Sequence, residues 1–314
     1  MTLPRPGGWD SAYHAPALAS EVLTLMGGRP LVLDGTLGGG GHTAALLASG
    51  SRVVAVDRDP EALAVASERL AGAAADDRLR LVLANYAHLD RVPALAGLRF
   101  DGILLDLGIS SHQIDRPERG FTFREGAPLD MRMGADAVRD ARELLATADE
   151  RTLARIFREY GDEPRAPRLA REVVRRRARH AFATSDDLVG AIRGALGPRT
   201  GPADFARLFQ AVRIAVNDEL DDLARALPDL RDRLAPNGVL AVIAYHSGED
   251  RLVKQAFREW SAACVCPPRQ PICTCRGRAL GTTLTRKAIL AGADEVARNP
   301  RARSARLRAW QSAA

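Results

Sequence analysis

The chain has 314 residues, 46% hydrophobic and 27% charged, with a formal net charge of +6. That composition is ordinary for a soluble globular protein of one large or two modest domains. It contains no run near the ~18 apolar residues of a membrane span, and its opening nine residues hold no apolar secretory core, so a cytoplasmic protein is expected. Residues 151–216 carry 14 basic and 7 acidic side chains, a net of +7, which leaves −1 for the remainder. Lys254 and Lys287 are the only lysines; the arginine bias is one that a GC-rich genome produces by itself.

In chain order, Leu31-Val32-Leu33-Asp34 is a short apolar run ending in an acid and glycines. Val53-Val54-Ala55-Val56-Asp57 and Gly102-Ile103-Leu104-Leu105-Asp106 repeat that form. Residues 43–48 and 60–70 read as intervening helices, the second opened by Pro60, and 79–83 as a further strand. A last buried strand is predicted over 239–244, after a Pro236-Asn237-Gly238 turn. Continuous apolar strands alternating with helices predict a parallel sheet covered on both faces. The span from Asp106 to Val239 is too long for a crossover and reads as helical, with Phe205, Phe209, Val212 and Val216 on one stripe. The expected organisation is a doubly wound domain over 1–113 and 213–314, with a helical insertion over 114–212.

The strongest chemical feature is Asp34-Gly35-Thr36-Leu37-Gly38-Gly39-Gly40-Gly41-His42-Thr43, between strand and helix. Consecutive glycines let the backbone approach a ligand, and the helix that follows offers free N–H groups. Asp57 ends the next strand, where a carboxylate accepts hydrogen bonds from both ribose hydroxyls of an adenosyl group. The loop lacks the Gly-Lys-Ser/Thr of a phosphate-binding loop and the Gly-x-Gly-x-x-Gly of a dinucleotide fold. The Asp34-Gly35 opening is typical of methyltransferases, so S-adenosylmethionine is the expected ligand, against a glycine-rich turn that binds nothing. Tyr86 either lies against an adenine face or is a core aromatic. Asp106 falls at the strand edge where such sheets place their chemistry.

After Asp106 the sequence Leu107-Gly108-Ile109-Ser110-Ser111-His112-Gln113 lacks the Pro-Pro motif of enzymes that methylate DNA amino groups. Its small and hydroxyl residues can approach a flat base and accept amino hydrogens, although serines after a strand are more often caps. Ser247, with Asp250 three residues on, is predicted to cap a helix; His246 either contacts a target base or is structural. Seven arginines over 165–179 and five over 298–308 are candidate phosphate contacts for RNA with an extruded base. Cys264, Cys266, Cys273 and Cys275 form Cys-x-Cys-x6-Cys-x-Cys. They read first as free thiols in a loop, with a tetrahedral zinc site as the alternative.

These motifs together resemble the MraW family of small-subunit ribosomal RNA methyltransferases. The matching segments are Tyr13-His14-Ala15-Pro16, residues 34–42, Asp57-Arg58-Asp59-Pro60, residues 101–113, Glu118-Arg119-Gly120-Phe121-Thr122-Phe123 and Pro128-Leu129-Asp130-Met131-Arg132-Met133. They continue through Phe209-Gln210-Ala211-Val212-Arg213-Ile214, residues 217–220 and 246–254, and Asn299-Pro300-Arg301-Ala302-Arg303-Ser304. Tyr86 and Tyr245 stand where the family has phenylalanine, and Gly248 replaces a leucine.

The resemblance implies a class I methyltransferase sheet (Rossmann-like, α/β) and N4-methylation of a cytidine of 16S ribosomal RNA near the P site. S-adenosyl-L-methionine would be the donor. By position, the cofactor contacts would be Gly40, Gly41, His42, Asp57, Tyr86, Asp106 and Gln113. The expected partner is 16S ribosomal RNA or the small ribosomal subunit, with no membrane. Oligomeric state stays open, a homodimer included, and no residue is assigned as the proton acceptor. Competing readings are a methyltransferase of another RNA or DNA amine, and a non-catalytic RNA-binding assembly factor.

Overall fold

The computed structural model describes residues 16–267, 270 and 272–314, with the backbone alone at 111 and 112. Tyr13, His14 and Ala15 of the first family motif lie outside the described residues. The chain divides into two compact units, Met1–Gly108 with Asp221–Ala314, and Ile109–Leu220.

The first unit is built on β1 (Leu31–Asp34), β2 (Arg52–Asp57), β3 (Leu79–Leu83), β4 (Phe100–Asp106), β5 (Leu234–Ala244), β6 (Gly281–Thr283), β7 (Ile289–Leu290) and β8 (Arg306–Ser312). The sheet order is β3-β2-β1-β4-β5-β8-β6, with β7 also on β8. The first five strands pair in parallel, whereas β8 runs antiparallel to β5, β6 and β7. This is a doubly wound α/β sheet.

Period-two alternation explains why both faces are dry. Val32, Val53, Ala55 and Leu104 enter one core cluster, while Leu33, Val54, Val56, Ile103 and Leu105 enter another. The chain winds outward from β1 to β3 and then returns to β4, so strand order reverses between β1 and β4. Ligands of such sheets sit at that reversal, beyond the carboxyl ends of the strands.

Two features of the C-terminal half depart from the sequence reading. Pro236-Asn237-Gly238 is not a turn before β5 but a bulge within it: pairing jumps from Phe100↔Leu234 to Gly102↔Val239, and Asn237 takes a left-handed φ of 59°. β8 was not expected at all, because Arg306 and Arg308 alternate with Leu307 and hide its apolar face.

In the second unit, helices Ala141–Thr147, Glu150–Glu159, Ala166–Arg177, Ser185–Leu196 and Pro202–Asn217 enclose a separate apolar core. Phe205, Phe209, Val212 and Val216 are all buried in it. The unit ends at Leu220 rather than at 212, since a cut there would split the helix whose whole stripe builds this core. Asn217, at the end of that helix, clamps the 131–133 segment: its Oδ1 accepts from Met133 N at 2.8 Å and its Nδ2 donates to Met131 O at 2.7 Å. Met131 is held there at a left-handed φ of 63°.

Candidate functional site

The glycine loop hangs between the strands that flank β1. Gly35 N donates to Leu104 O of β4 at 2.9 Å, and Leu37 N donates to Val56 O of β2 at 3.0 Å. Asp34, buried at the end of β1, accepts from Thr43 Oγ1 at 2.7 Å and from Thr36 N at 3.2 Å. Burial, only partly offset by the Thr43 hydroxyl, raises its pKa. Asp34 thus ties loop to helix rather than facing outward. Gly38 and Gly40 adopt left-handed φ values of 50° and 75°, a conformation that side chains resist. Gly40 precedes the helix Gly41–Ala48, whose first N–H groups have no side-chain cap among the described residues. A Cβ added at Gly39 would meet nothing within 4 Å, so space lies open beside the loop.

Asp57 ends β2 facing that loop. Its Oδ2 accepts from Gly38 N at 2.8 Å and its Oδ1 from Asp59 N at 2.9 Å. Each oxygen keeps a second lone pair for a ribose hydroxyl. Burial pushes its pKa up to about 6, against the pull of the two backbone N–H groups. The pKa rises, so protonation favours the ligand-free fold: that contribution to stability is full below 3.8 and is lost as pH climbs through about 6. Cofactor binding has the opposite sign, because the ribose needs the ionised acceptor. Affinity for S-adenosylmethionine, measured by calorimetry, is expected to be flat from about pH 7 to 8. It should then weaken as pH falls through about 6, approaching tenfold per further unit. In Asp57→Asn the dependence should vanish.

Asp106 ends β4. Its backbone N donates to Thr36 Oγ1 at 2.6 Å, and its Oδ1 accepts from Tyr245 Oη at 2.9 Å. Burial, then the Asp106 charge, holds the Tyr245 phenol well above its usual pKa, so it remains a donor. His42 is buried, and neither ring nitrogen has an aligned hydrogen-bond partner among the described residues, although Nε2 lies 3.4 Å from Asp106 Oδ2. Desolvation lowers the His42 pKa, but the Asp106 carboxylate outweighs it and the net shift is upward. Thr36, Thr43 and Tyr245 were not singled out from sequence. The hydroxyls are recognisable only once the strands bring their partners together, and Tyr245 had been noted merely as a family departure.

The structure therefore gathers Gly40, Gly41, His42, Asp57 and Asp106 around one strand edge. Tyr86 joins them: a Cβ placed on Gly35 would come within 3.4 Å of the Tyr86 Cβ. Gln113 belongs to the second unit, where it forms a capping box: Ser110 N donates to Gln113 Oε1 at 3.0 Å and Gln113 N to Ser110 Oγ at 3.3 Å. Ser110 is thus a cap, and the Ser111 side chain lies outside the described residues.

The expected Ser247 box starts one residue earlier. His246 Nδ1 accepts from Glu249 N at 3.4 Å, and Glu249 Oε2 accepts from Tyr245 N at 2.8 Å and His246 N at 3.2 Å. An imidazole cap is rare enough that the serine next to it was the natural choice. His246 thus caps this helix through Nδ1.

Of the arginines over 165–179, Arg175 and Arg176 pair with Glu172, Arg165 with Glu163, and Arg177 donates to the carbonyls of Leu145 and Ala148. Arg168, Arg171 and Arg179 are exposed. In the stretch 298–308, Arg308 is buried on Asp250, its Nε 2.6 Å from Oδ1 and its Nη2 3.1 Å from Oδ2, so it is no phosphate contact.

The family model of the MraW methylase family matches residues 11–313. The chain belongs to the MraW family. A ribosomal RNA small subunit methyltransferase H of Gemmatimonas aurantiaca is 65% identical over 308 residues, 98% of this chain and 98% of that protein. The proteins of the same name from Heliobacterium modesticaldum and Anaeromyxobacter sp. strain K are 47% and 48% identical, covering 95% and 94% of this chain and 97% and 96% of their own. This MraW protein is accordingly a methyltransferase that uses S-adenosylmethionine, and its residues fit that donor. The uncapped helix start suits the methionine carboxylate, Asp57 the ribose. The carboxylates of Asp57 and Asp106 give the edge a negative field suited to a sulfonium.

Proposed function

We propose that this chain methylates the exocyclic N4 of a cytidine of 16S ribosomal RNA near the P site, with the small ribosomal subunit or its RNA as partner, in the cytoplasm. Near-complete coverage by relatives of one name, with a strand edge fitted to an adenosyl sulfonium, carries this reading. No helix of the described residues is long and apolar enough to cross a membrane.

In this reading Gly40, Gly41, His42, Asp57, Tyr86 and Asp106 of the first unit hold the cofactor, which supplies an electrophilic methyl group when bound. An amino group conjugated to a pyrimidine is a poor nucleophile, so positioning carries most of the catalysis. Tyr245 acts through Asp106: its hydroxyl fixes one carboxylate oxygen, and the other approaches His42. The helical unit, residues 109–220, grips RNA, and exposed Arg168, Arg171 and Arg179 are its phosphate contacts.

The test supplies methyl-labelled cofactor with small subunits from cells lacking this protein, naked 16S RNA, or duplex DNA. Label is expected in the ribosomal RNA, as one methyl on cytidine located by mass spectrometry. Label confined to DNA, or cofactor binding without transfer to any of the three, would overturn the assignment.

A further inference from the structure

The loop between the helix Ser247–Ser261 and β6 holds all four cysteines of the chain, and neither the sheet edge nor the RNA-binding reading uses them. Their sulfurs converge: Cys264 and Cys273 lie 3.8 Å apart, Cys266 and Cys273 3.8 Å, Cys264 and Cys275 3.9 Å, and Cys273 and Cys275 3.4 Å. All four ligand atoms fall within 4.8 Å of one another, and all four cysteines are free. A tetrahedron of thiolates at the ordinary zinc–sulfur distance of about 2.3 Å has edges of about 3.8 Å.

We propose that Cys264, Cys266, Cys273 and Cys275 bind one structural zinc ion. Hydrophobic packing does not explain the convergence, since Cys264 and Cys273 are exposed and the other two only half-buried. Nor do thiol–thiol hydrogen bonds, which are too weak to gather four side chains. The surrounding backbone serves the sulfurs as it does in thiolate sites: Val265 N donates to Cys275 Sγ at 3.3 Å. Both ends of the loop are anchored on the same helix terminus. Arg276 Nη2 donates to Ala262 O at 3.1 Å and also to Glu259 O, and Leu280 N donates to Trp260 O at 2.8 Å. Four soft sulfur donors in a closed set select zinc over hard cations, and leave no open position for catalysis. Binding exchanges the four thiol protons for the divalent ion, with no change of oxidation state. The zinc would cross-link a loop whose described residues are all exposed or half-buried.

The full chain, purified under reductant without chelator or residual affinity tag, is expected to carry about one zinc per chain by mass spectrometry. Denaturation with chelator and no reductant should then release four titratable thiols. Cys264→Ser with Cys273→Ser should lose the zinc while still binding S-adenosylmethionine. Because that variant could lose metal by misfolding, the wild type provides a second measurement. Stripped of metal and titrated with Co2+, it should show the intense visible bands of a tetrahedral thiolate site at one equivalent. Zinc below about a tenth of an equivalent with no such Co2+ spectrum would overturn the proposal. Stoichiometric iron, or disulfides in place of free thiols, would overturn it equally.

Discussion

Replacing Asp57 by alanine is expected to weaken S-adenosylmethionine binding at least 100-fold at pH 7.5, measured by calorimetry. Two ribose hydroxyls lose a charged acceptor, and bonds to charged groups are worth about 1.5–3 kcal/mol each, so the loss lies near 3–6 kcal/mol. The loop suffers as well: Gly38 N and Asp59 N lose their acceptors, and Gly38 must hold its left-handed turn unaided. Stability should change far less than affinity. Removing a carboxylate whose ionised form is penalised by burial offsets part of the damage. Thermal melting without cofactor separates the two effects. A dissociation constant within threefold of wild type would remove Asp57 from the cofactor site.

Arg308→Ala is expected to destabilise the first unit strongly. The guanidinium meets Asp250 with two donors at 2.6 and 3.1 Å, and both residues are buried. Deleting Arg308 leaves the buried Asp250 carboxylate only the half-exposed Arg306, 3.8 Å away, a loss of up to about 3–5 kcal/mol. For a unit of roughly two hundred residues this lowers the melting temperature by about 6–20 °C. Trp310, two residues along β8, packs edge-on against Trp260 and donates to Ser261 Oγ, so β8 and the helix Ser247–Ser261 share a second attachment. That should keep the variant folded at room temperature. Changing both partners to leucine should recover most of the stability, since an apolar pair of similar volume carries no desolvation penalty. Melting within 2 °C of wild type for Arg308→Ala would show that the pair is not buried in solution.

What sequence revealed follows from what each element must bury. β1, β2 and β4 were plain because parallel strands dry on both faces read as unbroken apolar runs, each closed by Asp34, Asp57 or Asp106. β8 was opaque because its buried arginine finds its partner 58 residues back, and no local pattern announces such a pair. The glycine loop was legible as a ligand turn, yet its fastening by Thr36, Thr43 and the flanking strands depends on contacts between elements. Tyr245 is the clearest omission. It was noted only as a tyrosine where the family has phenylalanine, whereas its hydroxyl bonds the Asp106 carboxylate. Gln113 entered through family resemblance alone, and its capping box with Ser110 could have been read from the Ser-x-x-Gln spacing.

The reversal of strand order between β1 and β4 also bears on how the chain assembles. Gly102 pairs with Val239 across more than 130 residues, a separation that makes the central β4–β5 pairing slow to find. Residues 109–220 bury a core of their own, so they can collapse before that pairing forms. Once they have done so, the free chain left to close is roughly two dozen residues, and the entropic cost of closure falls by about 1.5 kcal/mol. An insertion that folds first is thus expected to shorten the search for its host's central strands.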